Sequence, residues 1–137
     1  MCGFAVYTKK DIKLKEFENS FSKIKYRGPD KTKIKEFENG YFGFHRLSIM
    51  GVGDLGMQPF ERNDNILVCN GEIYGFRKIK KELINDGVVF NSESDCEVLL
   101  PMYKKYGVDM FEMLDGEYAT VLFDKEKNDF VAARDPI

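Results

Sequence analysis

Cys2 is placed where one residue could supply both a nucleophile and its base. A small side chain at position 2 permits removal of Met1, which would leave Cys2 with a thiol and a free α-amine. The ordinary pKa of such an amine is about 7.7–8.0 and that of a thiol about 8.5, so the amine can take the thiol proton directly or through water. The position therefore predicts a nucleophile without a histidine partner. The alternative is that Cys2 is only a small residue, and retention of Met1 would remove the base.

Asn70-Gly71-Glu72 follows a short apolar run and could stabilise negative charge. An asparagine side-chain amide and a glycine backbone N–H can direct two donors at one point, as an oxyanion hole requires. Glycine also allows the backbone to approach a ligand closely. The alternative interpretation of Asn70-Gly71 is a plain turn after a strand.

Three charged residues could recognise a small zwitterion. Arg46 suits bidentate binding of a carboxylate, although it could also be a surface residue or a member of a structural ion pair. Asp95 could bind an ammonium group, or it could stabilise the start of the helix that it precedes. Glu72 has the same two interpretations.

Four further features favour structural roles. The turn at residues 27–30 (RGPD) is expected to brace a site. His45 is expected to be a packed or hydrogen-bonded histidine. Cys69 and Cys96 are expected to be small buried apolar residues, and their spacing fits no metal motif.

Hydrophobic spacing predicts the elements that must position these residues. Strands are predicted where β-forming residues alternate or follow turn signals, over residues 3–8, 33–37, 41–49, 66–69, 117–123 and 130–133. Helices are predicted at 13–25, 76–86, 94–106 and 108–114, and residues 51–64 are predicted to be a loop. Ser94 and Glu97 form a candidate capping box, and Pro101 should kink the third helix. Strands joined by hairpins predict mostly antiparallel sheets.

Composition limits the classes of protein to which the chain can belong. Its 137 residues correspond to one domain, and 21 basic against 23 acidic residues give a net charge of −2, which argues against nucleic acid as a partner. No apolar run reaches the length of about 20 residues that spans a bilayer, and no signal peptide is seen. Three distant cysteines indicate free thiols in a reducing, cytoplasmic setting. A single histidine argues against a multi-histidine metal site, and no metal is predicted.

The order of several motifs resembles a known family. Met-Cys-Gly is followed by RGPD, HRLSI, QP, NGEIY, SDCEVLL, LDG and ARDP. This order resembles the N-terminal glutaminase domain of glutamine-hydrolysing asparagine synthetases, which are class II glutamine amidotransferases and N-terminal-nucleophile (Ntn) hydrolases. The resemblance spans Cys2 to Pro136. It implies an α+β fold, a four-layer αββα sandwich of two antiparallel sheets.

The resemblance also implies roles for individual residues. Cys2 would attack the side-chain amide of L-glutamine, and Asn70 and Gly71 would hold the oxyanion. Glu72 and Asp95 would hold the α-ammonium group. The wall that holds the α-carboxylate would consist of Arg46, Leu47, Ser48, Ile49 and Met50.

The same resemblance implies what the chain does not contain. The family continues beyond ARDP, so residues 1–137 are expected to be an amidotransferase domain that is incomplete at its C-terminus. ATP and Mg²⁺ would be needed only by a following synthetase domain, and no cofactor is expected here. The expected activity is the glutaminase half-reaction, and a homodimer is a further expectation. Two alternatives are a non-catalytic remnant and the glutaminase domain of a synthetase with another acceptor, such as a β-lactam-forming enzyme.

Overall fold

The computed structural model describes residues 2–48 and 54–136 and shows two antiparallel sheets. The first sheet has the order β1-β3-β2, and the second has the order β4-β5-β6-β7. The strands are β1 (Gly3–Tyr7), β2 (Lys31–Phe37), β3 (Gly40–Arg46), β4 (Phe60–Arg62), β5 (Asn65–Ile73), β6 (Gly116–Asp124) and β7 (Asp129–Arg134).

Within the described residues, three α-helices cover the outer faces of the sheets, and none of these helices could cross a membrane. Four 3₁₀ segments accompany them, at Ser22–Arg27, Asp54–Gly56, Asp95–Val98 and Gly107–Met113. The α-helices are α1 (Leu14–Phe21), α2 (Phe76–Asn85) and α3 (Leu99–Tyr106).

Three hydrophobic clusters separate four layers. Phe17 and Phe21 of α1 pack on the outer face of the first sheet at Tyr41. Phe42 of β3 and Phe123 of β6 belong to the cluster between the two sheets. The outer face of the second sheet packs against α2 and α3 through a cluster that includes Leu67, Ile73, Leu83, Leu99 and Met102. The predicted α+β sandwich with αββα layers is therefore confirmed.

The predicted helices are found, but parts of them are 3₁₀ helix and not α-helix. The segment at 13–25 is α-helical only to Phe21 and continues as a 3₁₀ turn, and the segment at 108–114 is 3₁₀. The expected kink at Pro101 is replaced by a change of helix type, because 3₁₀ residues lead into α3 just before it. Pro101 then lies in the first turn of α3, where a helix leaves backbone N–H groups without intrahelical partners.

The predicted capping box at Ser94 and Glu97 is wrong. The buried Glu97 carboxylate instead accepts hydrogen bonds from the N–H groups of Asn91 and Ser92, both at 2.8 Å, and from the Ser92 hydroxyl. Glu97 thus fixes the loop at residues 91–92 that precedes the 3₁₀ turn, and Asp95 is the first residue of that turn.

Three strand predictions change. The strand predicted over 41–49 ends at Arg46, since the next residues, Leu47 and Ser48, are not in a strand. The predicted loop at 51–64 contains β4, which pairs with β5. Asn70-Gly71, predicted to end its strand in a turn, lies inside β5, because β5 pairs with β6 from Ile66 to Ile73.

Asp124 at the end of β6 provides a test of the sheet's pH dependence. Burial would raise the pKa of this carboxyl, but hydrogen bonds from the Tyr103 hydroxyl and the Lys127 N–H lower it on balance below 3.8. A lowered pKa in the folded state contributes stability above the ordinary value, and that contribution is lost as the pH falls through the folded pKa. We expect Asp124→Asn to cost about 1 kcal/mol at neutral pH.

The measurement is the free energy of urea unfolding from pH 7 to pH 3. The difference between wild type and Asp124→Asn should shrink below pH 4. A difference that stays constant over this range would contradict the charge-based explanation. Asp129→Asn, at the exposed start of β7, is the matched control and should show a smaller difference.

Candidate active site

A pocket of about 280 Å³ collects residues from distant parts of the chain. The start of β1, the end of β3, the middle of β5 and the 3₁₀ turn at Asp95–Val98 all contribute to its lining. The residues that line it are Cys2, Phe44, Arg46, Leu47, Gly56, Gln58, Cys69, Asn70, Gly71, Glu72, Ser94, Asp95, Cys96 and Glu117.

Cys2 lies half-buried at one wall of this pocket. Its Sγ accepts a hydrogen bond from the Leu47 N–H at 3.3 Å and lies 3.5 Å from the Leu47 carbonyl, to which the thiol can donate. These two contacts hold the sulfur at the wall of the pocket. Met1 lies outside the described residues, so the α-amine base stays a prediction.

The RGPD turn braces the pocket, as predicted. Arg27 donates from Nε to the Cys2 carbonyl at 3.2 Å, and the Asp30 N–H donates to the Arg46 carbonyl at 3.0 Å. The Asp30 carboxylate also accepts the Ser48 N–H at 2.7 Å. The turn therefore holds both the candidate nucleophile and the end of β3.

The predicted carboxylate wall is only partly described. Arg46 is buried, with 5% of its surface exposed, and lines the pocket beside Leu47. Ser48 binds Asp30 through its backbone and is not among the lining residues. Ile49 and Met50 lie outside the described residues.

Asn70 and Gly71 line the pocket from the middle of β5. Gly71 has a φ of +153°, and a Cβ at this position would lie 2.0 Å from the Glu117 carbonyl oxygen of β6. Only glycine fits such a close approach of two backbones. At this place in the pocket lining, a backbone N–H and a neighbouring side-chain amide could form the donor pair that an oxyanion hole needs.

The pocket also contains three acidic residues. Asp95 is buried, and its Oδ2 accepts the Ile73 N–H at 2.7 Å. Glu72 faces Glu117 directly across the β5–β6 ladder. Like charges in such a pair repel each other, so this end of the pocket favours a cation. The field of Glu117, together with burial and Glu72, raises the pKa of the nearby Tyr74 hydroxyl.

The remaining candidates are structural. His45 is buried, stacks on Phe21 at 3.7 Å, and hydrogen-bonds Thr32 and the Phe21 carbonyl, as predicted for a packed histidine. Cys69 and Cys96 are buried, and the hydrogen bond between their thiols together with burial raises the pKa of the Cys96 thiol. Across residues 2–48 and 54–136, no cluster of three or more His, Cys, Asp or Glu residues could hold a metal ion.

Comparison with known families agrees with this geometry. The sequence profile of the glutamine amidotransferase domain family matches the chain over residues 1–137. The chain belongs to this family. The predicted resemblance is thereby confirmed, and the Cys2 pocket is the candidate active site of a glutamine amidotransferase domain.

Relatives of this amidotransferase domain are much longer proteins. The chain is 37% identical to a probable glutamine-hydrolysing asparagine synthetase of Acanthamoeba polyphaga mimivirus, over 98% of this chain and 26% of that protein. It is 40% identical to the corresponding probable enzyme of Dictyostelium discoideum, over 85% of this chain and 21% of that protein. The chain thus spans about a quarter of the length of these curated relatives.

A solved structure supports the fold of the amidotransferase domain. Glutamine phosphoribosylpyrophosphate amidotransferase from B. subtilis superposes with a TM-score of 0.58 at 25% identity, over 72% of this chain and 24% of that chain. This likeness agrees with the predicted Ntn sandwich.

Sequence reasoning missed several residues that line the pocket, among them Gln58 and Glu117. Glu117 could have been found by aligning the predicted strand at 117–123 with β5, which places it opposite Glu72. Gln58 had no local signal beyond its place in the QP motif, since its role depends on a contact with Cys69.

Proposed function

We propose that this amidotransferase domain hydrolyses L-glutamine to L-glutamate and ammonia with Cys2 as the nucleophile. The observation that carries the proposal is the convergence in one pocket of a half-buried thiol, a buried arginine, the Asn70-Gly71 pair and acidic side chains. The segments that supply them are far apart in sequence, so their meeting in one pocket is a property of the fold.

The first half of the reaction would form a thioester. The α-amine of Cys2, freed by removal of Met1, accepts the thiol proton while Sγ bonds to the carbon of the glutamine side-chain amide. Negative charge then develops on the amide oxygen and is held by the Asn70 side chain and the Gly71 N–H. The C–N bond breaks while the protonated amine of Cys2 donates its proton to the leaving nitrogen, which departs as ammonia.

The second half would release glutamate. The same α-amine takes a proton from water, and the hydroxide oxygen bonds to the thioester carbon. The oxyanion again lies at Asn70 and Gly71. The C–S bond breaks, the proton returns to Sγ, and the product acid is glutamate.

The charges of the pocket match a zwitterionic amino acid. Arg46 would bind the α-carboxylate through its guanidinium, with Leu47 beside it in the pocket lining. The predicted places of Ser48, Ile49 and Met50 in that wall stay predictions. Glu72 and Asp95 would bind the α-ammonium group. The Ile73 N–H occupies one oxygen of Asp95, which orients the carboxylate.

We expect Arg46→Lys to raise the KM for glutamine by about 10- to 100-fold while kcat changes little. A lysine keeps the charge but loses the planar fork that binds a carboxylate at two points. Steady-state glutamate production measures both constants. Arg77→Lys on the exposed face of α2 is the matched control, and an unchanged KM in Arg46→Lys would place the carboxylate elsewhere.

In a longer protein the ammonia would have an acceptor. We propose that this domain supplies ammonia to a covalently following synthetase domain that uses ATP and Mg²⁺ to make asparagine from aspartate. The proposal is supported by its longer relatives, whose names describe glutamine-hydrolysing asparagine synthetases. The domain itself is proposed to need no cofactor. Its three free thiols are compatible with a reducing cytoplasm.

The test uses the electrophilic glutamine analogue 6-diazo-5-oxonorleucine. The purified chain should lack Met1, gain one adduct that maps to Cys2, and release glutamate and ammonia from glutamine. A processed chain that forms no adduct and has no turnover would favour the non-catalytic alternative. Turnover without Cys2 labelling would favour a different nucleophile.

A further inference from the structure

The side chain of Gln58 pairs with the backbone of Cys69 at both ends of its amide. Its Oε1 accepts the Cys69 N–H at 2.6 Å, and its Nε2 donates to the Cys69 carbonyl at 2.9 Å. Only 5% of the Gln58 surface is exposed, and Cys69 is also buried. Both polar groups of the amide are therefore committed to one peptide strand and not to solvent.

This pairing extends the β4–β5 ladder with side-chain hydrogen bonds in place of backbone ones. β4 pairs with β5 through Phe60 and Leu67, and the same register would place residue 58 opposite residue 69. Between them, Pro59 has no N–H to donate. β4 begins only at Phe60, so the Gln58 side chain makes the two hydrogen bonds to Cys69 that a longer β4 would have made through its backbone.

The position that Gln58 holds is next to the oxyanion donors. Hydrogen-bonding direction alternates along an antiparallel strand, so Cys69, Gly71 and Ile73 turn their backbone groups toward the same edge of β5. The Ile73 N–H is held there by Asp95 at 2.7 Å. Gly71 lies between these two anchored residues and lines the pocket.

We propose that Gln58 is a positioning residue for the oxyanion site. By fixing the peptide groups of Cys69, it sets the direction of the Asn70 side chain and of the Gly71 N–H, which follow directly in β5. This inference rests on the proposed glutaminase function. Gln58 acts through the strand, since its own amide is occupied by Cys69.

The first test replaces Gln58 with methionine, which has a similar length but no amide. We expect kcat for glutamine hydrolysis to fall by about 10²-fold, because small misplacements of catalytic groups have effects of this size. The dissociation constant of L-glutamate should change by less than about threefold, because Arg46 is untouched. A folded Gln58→Met variant with unchanged kcat would overturn the proposal.

Thr120→Val is the matched control. Thr120 is buried and donates from its hydroxyl to the carbonyl of Val68, one residue before Cys69 but from the β6 side. Its loss should lower the melting temperature without an effect on kcat comparable to that of Gln58→Met. An equal fall in kcat in both variants would mean that any loss of rigidity in β5 slows the reaction.

Gln58→Glu makes the hydrogen bonds of residue 58 depend on pH. The pH dependence of kcat then tests whether these hydrogen bonds, and not only the packing of the side chain, control the rate. A protonated carboxyl can donate to the Cys69 carbonyl and accept its N–H, as the amide does, whereas a carboxylate can only accept. Burial should raise the pKa of the new carboxyl. The ratio of kcat in Gln58→Glu to kcat in wild type should therefore rise as the pH falls from about 8 to about 6. A ratio independent of pH would contradict the proposal.

An amide NMR spectrum separates this proposal from the proposed function. In Gln58→Met, the Gly71 amide resonance should shift and its hydrogen exchange should become faster, while Thr120→Val should leave it in place. An unmoved Gly71 amide would overturn the positioning role. A wild type without turnover, but with a Gly71 amide that responds to Gln58→Met, would overturn the glutaminase proposal alone.

Discussion

Cys2→Ala is expected to reduce glutamine hydrolysis by at least about 10⁴-fold, the scale of loss when a covalent nucleophile is removed. The thiol is the group that would bond to the substrate carbon, and no second cysteine can replace it. Cys69 and Cys96 lie in the same pocket, but both are buried, and the pKa of Cys96 is raised. Glutamate release, followed by a coupled dehydrogenase assay, measures the loss.

The binding of L-glutamate to Cys2→Ala distinguishes chemistry from folding. Arg46 and Asp95 are unchanged in this variant, so the dissociation constant of L-glutamate should stay within about threefold of wild type. Turnover above a tenth of wild type in a variant that still binds glutamate would show that the reaction does not pass through Cys2.

Asn70→Ala carries the second largest expected effect. Removal of one oxyanion donor typically lowers kcat by about 10²- to 10³-fold. The KM should change less, because charge on the amide oxygen develops only as the thiol attacks. Single-turnover formation of the thioester is the most direct measurement, since it isolates the step that Asn70 would assist.

Asn65→Ala provides the control for Asn70→Ala. Asn65 begins the same strand, β5, and its side chain accepts the Lys125 N–H far from the pocket lining. The substitution Asn65→Ala should lower the free energy of unfolding and leave kcat within about twofold of the wild-type value. If Asn70→Ala raised KM and left kcat unchanged, Asn70 would bind the ground state and would not stabilise the oxyanion.

Much of the fold could be predicted because its helices carry a clear periodic signal. Leu14, Phe17 and Phe21 recur at helical spacing, and two of them are buried on the first sheet as that spacing requires. The hairpin of β6 and β7 has an equally clear signal, a charged turn between two runs of β-forming residues. In both cases the local pattern and the tertiary packing agree.

The error at Asn70-Gly71 has a physical cause. An Asn-Gly pair is a strong local turn signal, but the signal describes only the preference of two residues. Here β6 pairs with β5 on both sides of Gly71, and the extended conformation is imposed by that ladder. The same close approach to β6 explains why glycine stands there without a turn.

The sequence predicts those residues of the candidate site whose side-chain type alone suggests a chemical role. Cys2, Arg46 and Asp95 have side chains suited to a nucleophile, a carboxylate and an ammonium group, and the pocket brings them together. Gln58 and Glu117 could not be found in this way. Their contribution comes from a neighbour across the sheet, and strand register is a tertiary property.

The contacts that shape the pocket join distant parts of the chain. The Cys2–Leu47 hydrogen bonds span 45 residues, and the bonds from Arg27 to Cys2 and from Ile73 to Asp95 span 25 and 22 residues. None of these contacts can form before the sandwich itself, because each loop must first be closed by strand pairing. In an unfolded or newly made chain Cys2 therefore lacks its contacts with Arg27 and Leu47, and the proposed active site assembles only with the cooperative transition to the native state.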